Sequence, residues 1–305
     1  MANVFYNGLH WVSPVDNAPG HNPRAQHVYN AGQGFNGCLI IADWGNGNPN
    51  NWADAASFVK NNAKRPSEIV LRLFWPDARG QGSCNLPGTG PELATIFYNN
   101  IIDTAVRAYN IRTFVIMNEL NLEYEGPSLC GDRQQLVGYM YNVAYHLKRQ
   151  AHSAGTYPIY LGFPGPGGAK FSDAEWAAYW AAYKPTITQP LDFVGDYAYN
   201  WLSPHVYGLT RAECLANLKG AYNDLRSRIP RWPQRYTEWS IPKSDATRIT
   251  DMATVLRKFR TYVQGIDDVD VYALHAYISG RSNADAGGTE YNITVSEGEQ
   301  LANVF

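Results

Sequence analysis

Short apolar runs recur along the chain, and each is followed by turn chemistry. In order they are "VFYNGLHWVSP" (4–14), "GCLIIADW" (37–44), "EIVLRLFWPD" (68–77), "RTFVIMNELN" (112–121), "YPIYLGFPGPG" (157–167), "WLSPHVYG" (201–208), "RYTEWSIP" (235–242) and "VDVYALHAYIS" (269–279). Each is strand length, and several are rich in Val, Ile, Leu, Phe or Tyr. Between them lie stretches with helical spacing at 51–63, 90–110, 132–155, 172–183, 210–229 and 244–265, with a last one at 296–305. Pro91 opens the second of these, where its missing N–H costs nothing. Gly155 and Gly265 close two others. Ser172 with Glu175, and Thr210 with Glu213, have the spacing of capping boxes.

Eight strand-like runs, with a helical stretch after each but the first, predict a parallel sheet with helical crossovers. At this length the α/β class resolves to a single (β/α)8 TIM barrel over 1–305. An open doubly wound sheet is the alternative, but no GxGxxG follows the first strand. No linker, low-complexity tract or repeat of solenoid length interrupts the pattern. The long segment between the first two strands predicts a loop over the barrel mouth.

A barrel of this kind carries its chemistry at the C-terminal strand ends. Here those ends hold His10 and Trp11; Asp43 and Trp44; Arg72, Trp75 and Asp77; Asn118 and Glu119; His205 and Tyr207; Glu238 and Trp239; His275 and Tyr277. Every end but the fifth is polar or aromatic. Indole and phenol rings stack on sugar C–H faces, and amides, imidazoles and carboxylates address hydroxyls, so the set suits a carbohydrate cleft. Glu119 and Glu238 end the fourth and seventh strands, which face each other across a ring of eight. Each of these residues also has a plainer reading. Glu119 and Glu238 could be rim carboxylates in salt bridges, Asn118 a turn former, the aromatics core, and Asp43 and Asp77 helix caps. Glu123 and Glu125 read as solvated loop charges.

The totals narrow the classes. The net charge is −2 and no basic block appears, which argues against a nucleic-acid surface. No apolar run approaches the length of a membrane span. The four cysteines show no metal-ligand spacing, and neither a metal nor a cofactor is expected. Cys38 and Cys214 read as buried thiols. Cys84 and Cys130 sit in Gly/Pro-rich loops and form a disulfide candidate if those loops are neighbours. Such a bond would suggest a secreted or extracytoplasmic protein. No secretory signal is visible in the first residues, and a chain whose signal had been removed would look the same, so the cytoplasm stays open. "NIT" at 292–294 fits a glycosylation sequon. A monomer is expected.

With these residues placed, the sequence resembles clan A of the glycoside hydrolases. The resemblance rests on "NE" at the fourth strand end, Glu238 in "RYTEWS" at the seventh and "HVY" at the sixth. It implies a retaining β-glycosidase or endo-glycanase acting by double displacement on a β-linked oligo- or polysaccharide. Glu119 would be acid then base, Glu238 the nucleophile, Asn118 a ligand of the sugar 2-hydroxyl, Tyr207 a donor to Glu238, and His205 part of the lining. Arg72, Trp11, Trp44, Trp75, Trp239, His275 and Tyr277 would complete the substrate site. The chain departs from the clan pattern twice. "ADW" ends the second strand where many members carry Arg, and His275 and Tyr277 stand where many have a closing Trp. A non-catalytic carbohydrate-binding barrel is the rival reading. A third is a metal-dependent hydrolase using His10, Asp43 and His205.

Overall fold

The structure is a computed structural model. It describes residues 7–11, 37–45, 48–49, 52–61, 68–75, 86–120, 131–165, 173–230, 232–241, 248–264 and 271–278. The strands are β1 (Asn7–Trp11), β2 (Gly37–Gly45), β3 (Asn48–Pro49), β4 (Glu68–Phe74), β5 (Thr113–Ile116), β6 (Tyr160–Pro164), β7 (Trp201–Ser203), β8 (His205–Tyr207), β9 (Gln234–Ser240) and β10 (Val271–Ile278). The helices are α1 (Trp52–Asn61), α2 (Gly90–Phe97), α3 (Asp103–Tyr109), α4 (Arg133–Ser153), α5 (Asp173–Ile187), α6 (Arg211–Arg228) and α7 (Arg248–Gln264). A π-helical turn, Tyr98–Ile102, joins α2 to α3. The expected alternation of strand and helix is therefore present, and the class is α/β. The chain divides into two compact units: Met1–Ile41, Asn51–Ile69 and Pro204–Phe305 form the first, and Ala42–Asn50 and Val70–Ser203 the second.

In the first unit the start of β2 pairs with β1, β1 with β10, β10 with β9, and β9 with β8, all in parallel. Helices α6 and α7 pack together on this unit. Their shared core includes Tyr222, edge-on to Phe259, which in turn meets Tyr236 from β9. Two hydrogen bonds tie this core to the strand below. Tyr236 Oη donates to Gln234 Oε1 at 2.8 Å, and Gln234 Nε2 donates to the Tyr222 carbonyl at 3.1 Å. Arg235, at the start of β9, is ion-paired with Glu68. Cys214 is buried on α6 and is a free thiol, as is Cys38 on β2.

In the second unit β4, β5, β6 and β7 form a parallel ladder. Strands buried on both faces read as near-continuous apolar runs, which is why "FVI" and "LGF" show no alternation. The core centres on Phe163, whose ring meets Tyr179, Trp180 and Tyr183 of α5 and Tyr199 before β7. Helix α4 begins at a full capping box, Asp132 with Gln135, and its end is followed by Gly155 at φ +72°. Its buried Lys148 donates to Asp196 Oδ2 at 2.5 Å and to Asn200 Oδ1 at 2.7 Å. Tyr157 Oη donates to the same Asp196 oxygen at 2.9 Å.

Gly162 of β6 lies opposite Trp201 of β7. A Cβ at 162 would stand 2.2 Å from Trp201 Cζ2, and the indole is buried. Gly162→Ala is expected to destabilise the protein by about 1–3 kcal/mol, the usual cost of an overfilled core. A urea unfolding series at constant slope checks it.

Several boundaries differ from the sequence reading. The sixth apolar run is two strands, because Pro204 lacks the N–H that would continue the ladder. Residues 48–49, in a Gly/Asn-rich stretch, turn back antiparallel on the end of β2. Helix α5 runs on to Ile187 through Pro185. At α6 the expected capping box is only half made. Thr210 Oγ1 accepts from Glu213 N at 3.2 Å, but Glu213 reaches back to Leu209 N instead of Thr210 N. The stretch at 296–305, Cys84, Cys130, Asp77, Glu123, Glu125 and the sequon lie outside the described residues.

Candidate active site

The first unit gathers three of the expected site residues on two adjacent strands. Strands β8 and β9 run in parallel with His205 opposite Glu238 and Tyr207 opposite Ser240. Residues two apart on a strand share a face, so His205 and Tyr207 flank the same carboxylate. Tyr207 Oη donates to Glu238 Oε2 at 2.6 Å. His205 Nδ1 lies 3.8 Å from that same oxygen. The carboxylate is buried, with only 6% of the residue exposed, and the imidazole is buried as well. A buried carboxylate needs donors, and a short phenol hydrogen bond supports the ionised form.

The support behind Tyr207 comes from α6. Asn217 Nδ2 donates to the Tyr207 carbonyl at 2.7 Å. Gly208 lets the strand turn tightly into that helix, since a Cβ there would fall 2.2 Å from Cys214 N. Thr210 then caps the helix.

Strand β9 carries an irregularity at the acidic residue. Tyr236 pairs with Leu274 and Trp239 with Ala276, so three steps along β9 match two along β10. The extra residue breaks the alternation at Thr237–Glu238. Both consecutive side chains consequently reach His205, since Thr237 Oγ1 is 3.0 Å from His205 Nε2. Thr237 was not among the residues singled out by sequence. In an ideal strand it would point away from Glu238, and no local motif marks the bulge.

The second unit holds the other expected group. Strand β5 pairs with β4 so that Arg72 lies opposite Val115 and Leu73 opposite Ile116. Just past β5, Met117 takes φ +64°, a left-handed conformation rarely adopted by a residue with a long side chain. It is held there by burial and by its N–H, which donates to the Leu73 carbonyl at 2.7 Å. Met117 thus turns the chain sharply just before Asn118 and Glu119. Both are buried, at 7% and 6% exposure, and Leu120 behind them is fully buried. Arg72 is buried on β4, and Trp75 follows that strand half-buried.

The remaining expected residues divide into two groups. Trp239 is fully buried. Trp11, Trp44, His275 and Tyr277 sit on β1, β2 and β10, as do His10 and Asp43, but their side chains lie outside the described residues.

No family model matches the chain, and no curated protein does. Solved structures do match. An endo-β-1,3-glucanase of family GH128 (subgroup II) from Pseudomonas viridiflava is 15% identical, with a TM-score of 0.53 over 98% of each chain. A GH39 β-xylosidase from Caulobacter crescentus is 15% identical, with a TM-score of 0.61 over 99% of this chain and 71% of its own. The GH39 enzyme from Xanthomonas axonopodis pv. citri is 17% identical, with a TM-score of 0.56 over 94% of this chain and 63% of its own. At these identities the likeness is one of fold: nearly the whole chain follows the α/β fold of these glycoside hydrolases.

Proposed function

We propose that the protein is a retaining glycoside hydrolase that cleaves a β-linked oligo- or polysaccharide. Glu238 is the nucleophile and Glu119 the acid, then the base. On this reading the eight parallel strand positions close into one (β/α)8 domain, with β7 and β8 together counting as one. Double displacement requires its two carboxyls roughly 5–5.5 Å apart. The observation that carries the reading is the 2.6 Å bond from Tyr207 to a buried Glu238 at a bulged strand end. A nucleophilic carboxylate must be ionised and held still, and a donor of this kind does both. The GH128 and GH39 neighbours, described as an endo-β-1,3-glucanase and a β-xylosidase, support β-linked substrates.

The steps follow from the roles. Glu238 attacks the anomeric carbon from the face opposite the leaving oxygen, and Glu119 gives that oxygen its proton. Water then enters from the leaving-group side, loses a proton to the Glu119 carboxylate and displaces Glu238. Asn118, beside the acid, holds the sugar 2-hydroxyl, and Arg72 and Trp75 contribute to the substrate wall. Two inversions leave the anomeric configuration unchanged.

Proton NMR of the first product settles the stereochemistry. The expected signal after addition of enzyme to an aryl β-glycoside or β-1,3-glucan fragment is the β-anomer, with the α-anomer growing in later by mutarotation. An α-anomer appearing first contradicts the double displacement. Retained sugar binding with no turnover of aryl β-glycosides or of a set of β-linked polysaccharides favours the non-catalytic reading.

A further inference from the structure

The geometry points to Thr237 as a positioning residue for the nucleophile: its hydroxyl fixes His205 in the tautomer whose Nδ1–H faces Glu238. This rests on the reading of Glu238 given above. Thr237 is wholly buried and His205 very nearly so, which makes the placement of each proton costly to change. The two ring nitrogens have different neighbours. Nδ1 faces Glu238 Oε2 at 3.8 Å, and Nε2 faces Thr237 Oγ1 at 3.0 Å.

An ionised carboxylate can only accept, so the nitrogen turned toward it is favoured to carry the proton. In a neutral imidazole the other nitrogen is then an acceptor, and a threonine hydroxyl can donate to it. The opposite tautomer would set the Nδ1 lone pair against a carboxylate oxygen. The 3.8 Å separation is longer than a hydrogen bond, so in the free protein the Nδ1–H orients the carboxylate through its field. Contacts of this sort commonly shorten once substrate is bound. Tyr207 and His205 therefore address the same oxygen, Oε2, and the β9 bulge makes this possible by turning Thr237 to the His205 side. Thr237 acts through His205 and is assigned no contact with substrate.

Thr237→Val keeps the shape and removes the hydroxyl, and Thr237→Ser restores it. Thr237→Val is expected to lower kcat about 10-fold with KM little changed, the scale of one lost buried hydrogen bond. Thr237→Ser is expected to recover most of that loss. Long-range proton–nitrogen spectra of 15N-histidine protein, with His205 assigned from His205→Gln, should show Nδ1 protonated in the parent and a mixture of tautomers in Thr237→Val. An Nε2-protonated His205 in the parent overturns the proposal, as does a Thr237→Val enzyme with parental kcat. If Thr237→Val does not fold, the parental spectrum alone decides. Full activity in Glu238→Ala would instead remove the nucleophile itself. An inactive Glu238→Ala beside an unaffected Thr237→Val removes only the role of Thr237.

Discussion

Glu238→Ala is expected to abolish turnover of natural β-glycosides, and azide is expected to restore it on aryl glycosides with good leaving groups. The small anion enters the space left by the carboxylate and attacks the anomeric carbon once, so the recovered product is an α-glycosyl azide. Glu119→Ala should behave differently. Activated aryl glycosides need little help from an acid, so their first step survives while the second slows by about 10²- to 10⁴-fold, the range for a positioned acid–base group. Azide then intercepts the glycosyl-enzyme and gives the β-azide. The two product configurations assign the two roles independently of rate. Identical products from both variants, or an unimpaired Glu238→Ala, would overturn the assignment.

Lys148→Ala is expected to destabilise the second unit by about 3–5 kcal/mol, the usual cost of breaking a buried pair from one side. The ammonium is fully buried while Asp196 is 22% exposed, so the pair is anchored at its cationic end. Removing both partners in Lys148→Met/Asp196→Leu should cost much less, because no charge is then left unpaired. Chemical denaturation of the parent, Lys148→Ala and the double variant checks this.

The same pair sets a pH dependence. Burial alone would push the Asp196 carboxyl up. The Lys148 ammonium, the Tyr197 N–H and the Tyr157 hydroxyl reverse this and hold it below the usual carboxylate range. Its contribution is therefore present above the unfolded value of about pH 4 and is lost as pH falls through the lower folded value. Lys148 runs the other way. Burial outweighs its partner and lowers its value, so its charge costs stability at neutral pH. That cost eases as pH rises through the lowered folded value. Asp196→Asn should flatten the acid limb of a stability profile.

The strands and helices were legible because the apolar runs are separated by strong stop signals, such as Asn110 in the left-handed region after α3 and the Asp132 cap of α4. The split at Pro204, the π turn at Tyr98–Ile102 and the continuation of α5 through Pro185 were not. In those places tertiary packing decides between conformations that local propensity leaves nearly equal. The contact of Tyr207 with Glu238 was expected only from the resemblance carried by "HVY" and "RYTEWS", since spacing within one strand does not say which strand lies beside it. Thr237 could not be foreseen, because a one-residue bulge in β9 depends on its pairing with β10.

The left-handed Met117 has a consequence for anyone refitting this scaffold with new loops. A substitution library at 118 and 119 inherits the direction in which Met117 launches the chain, whatever side chains it samples. Glycine at 117 would take the same backbone without steric penalty, but it would give up the buried side chain that locks the turn. Grafts of a foreign acid-bearing segment should therefore begin after this residue and leave it in place.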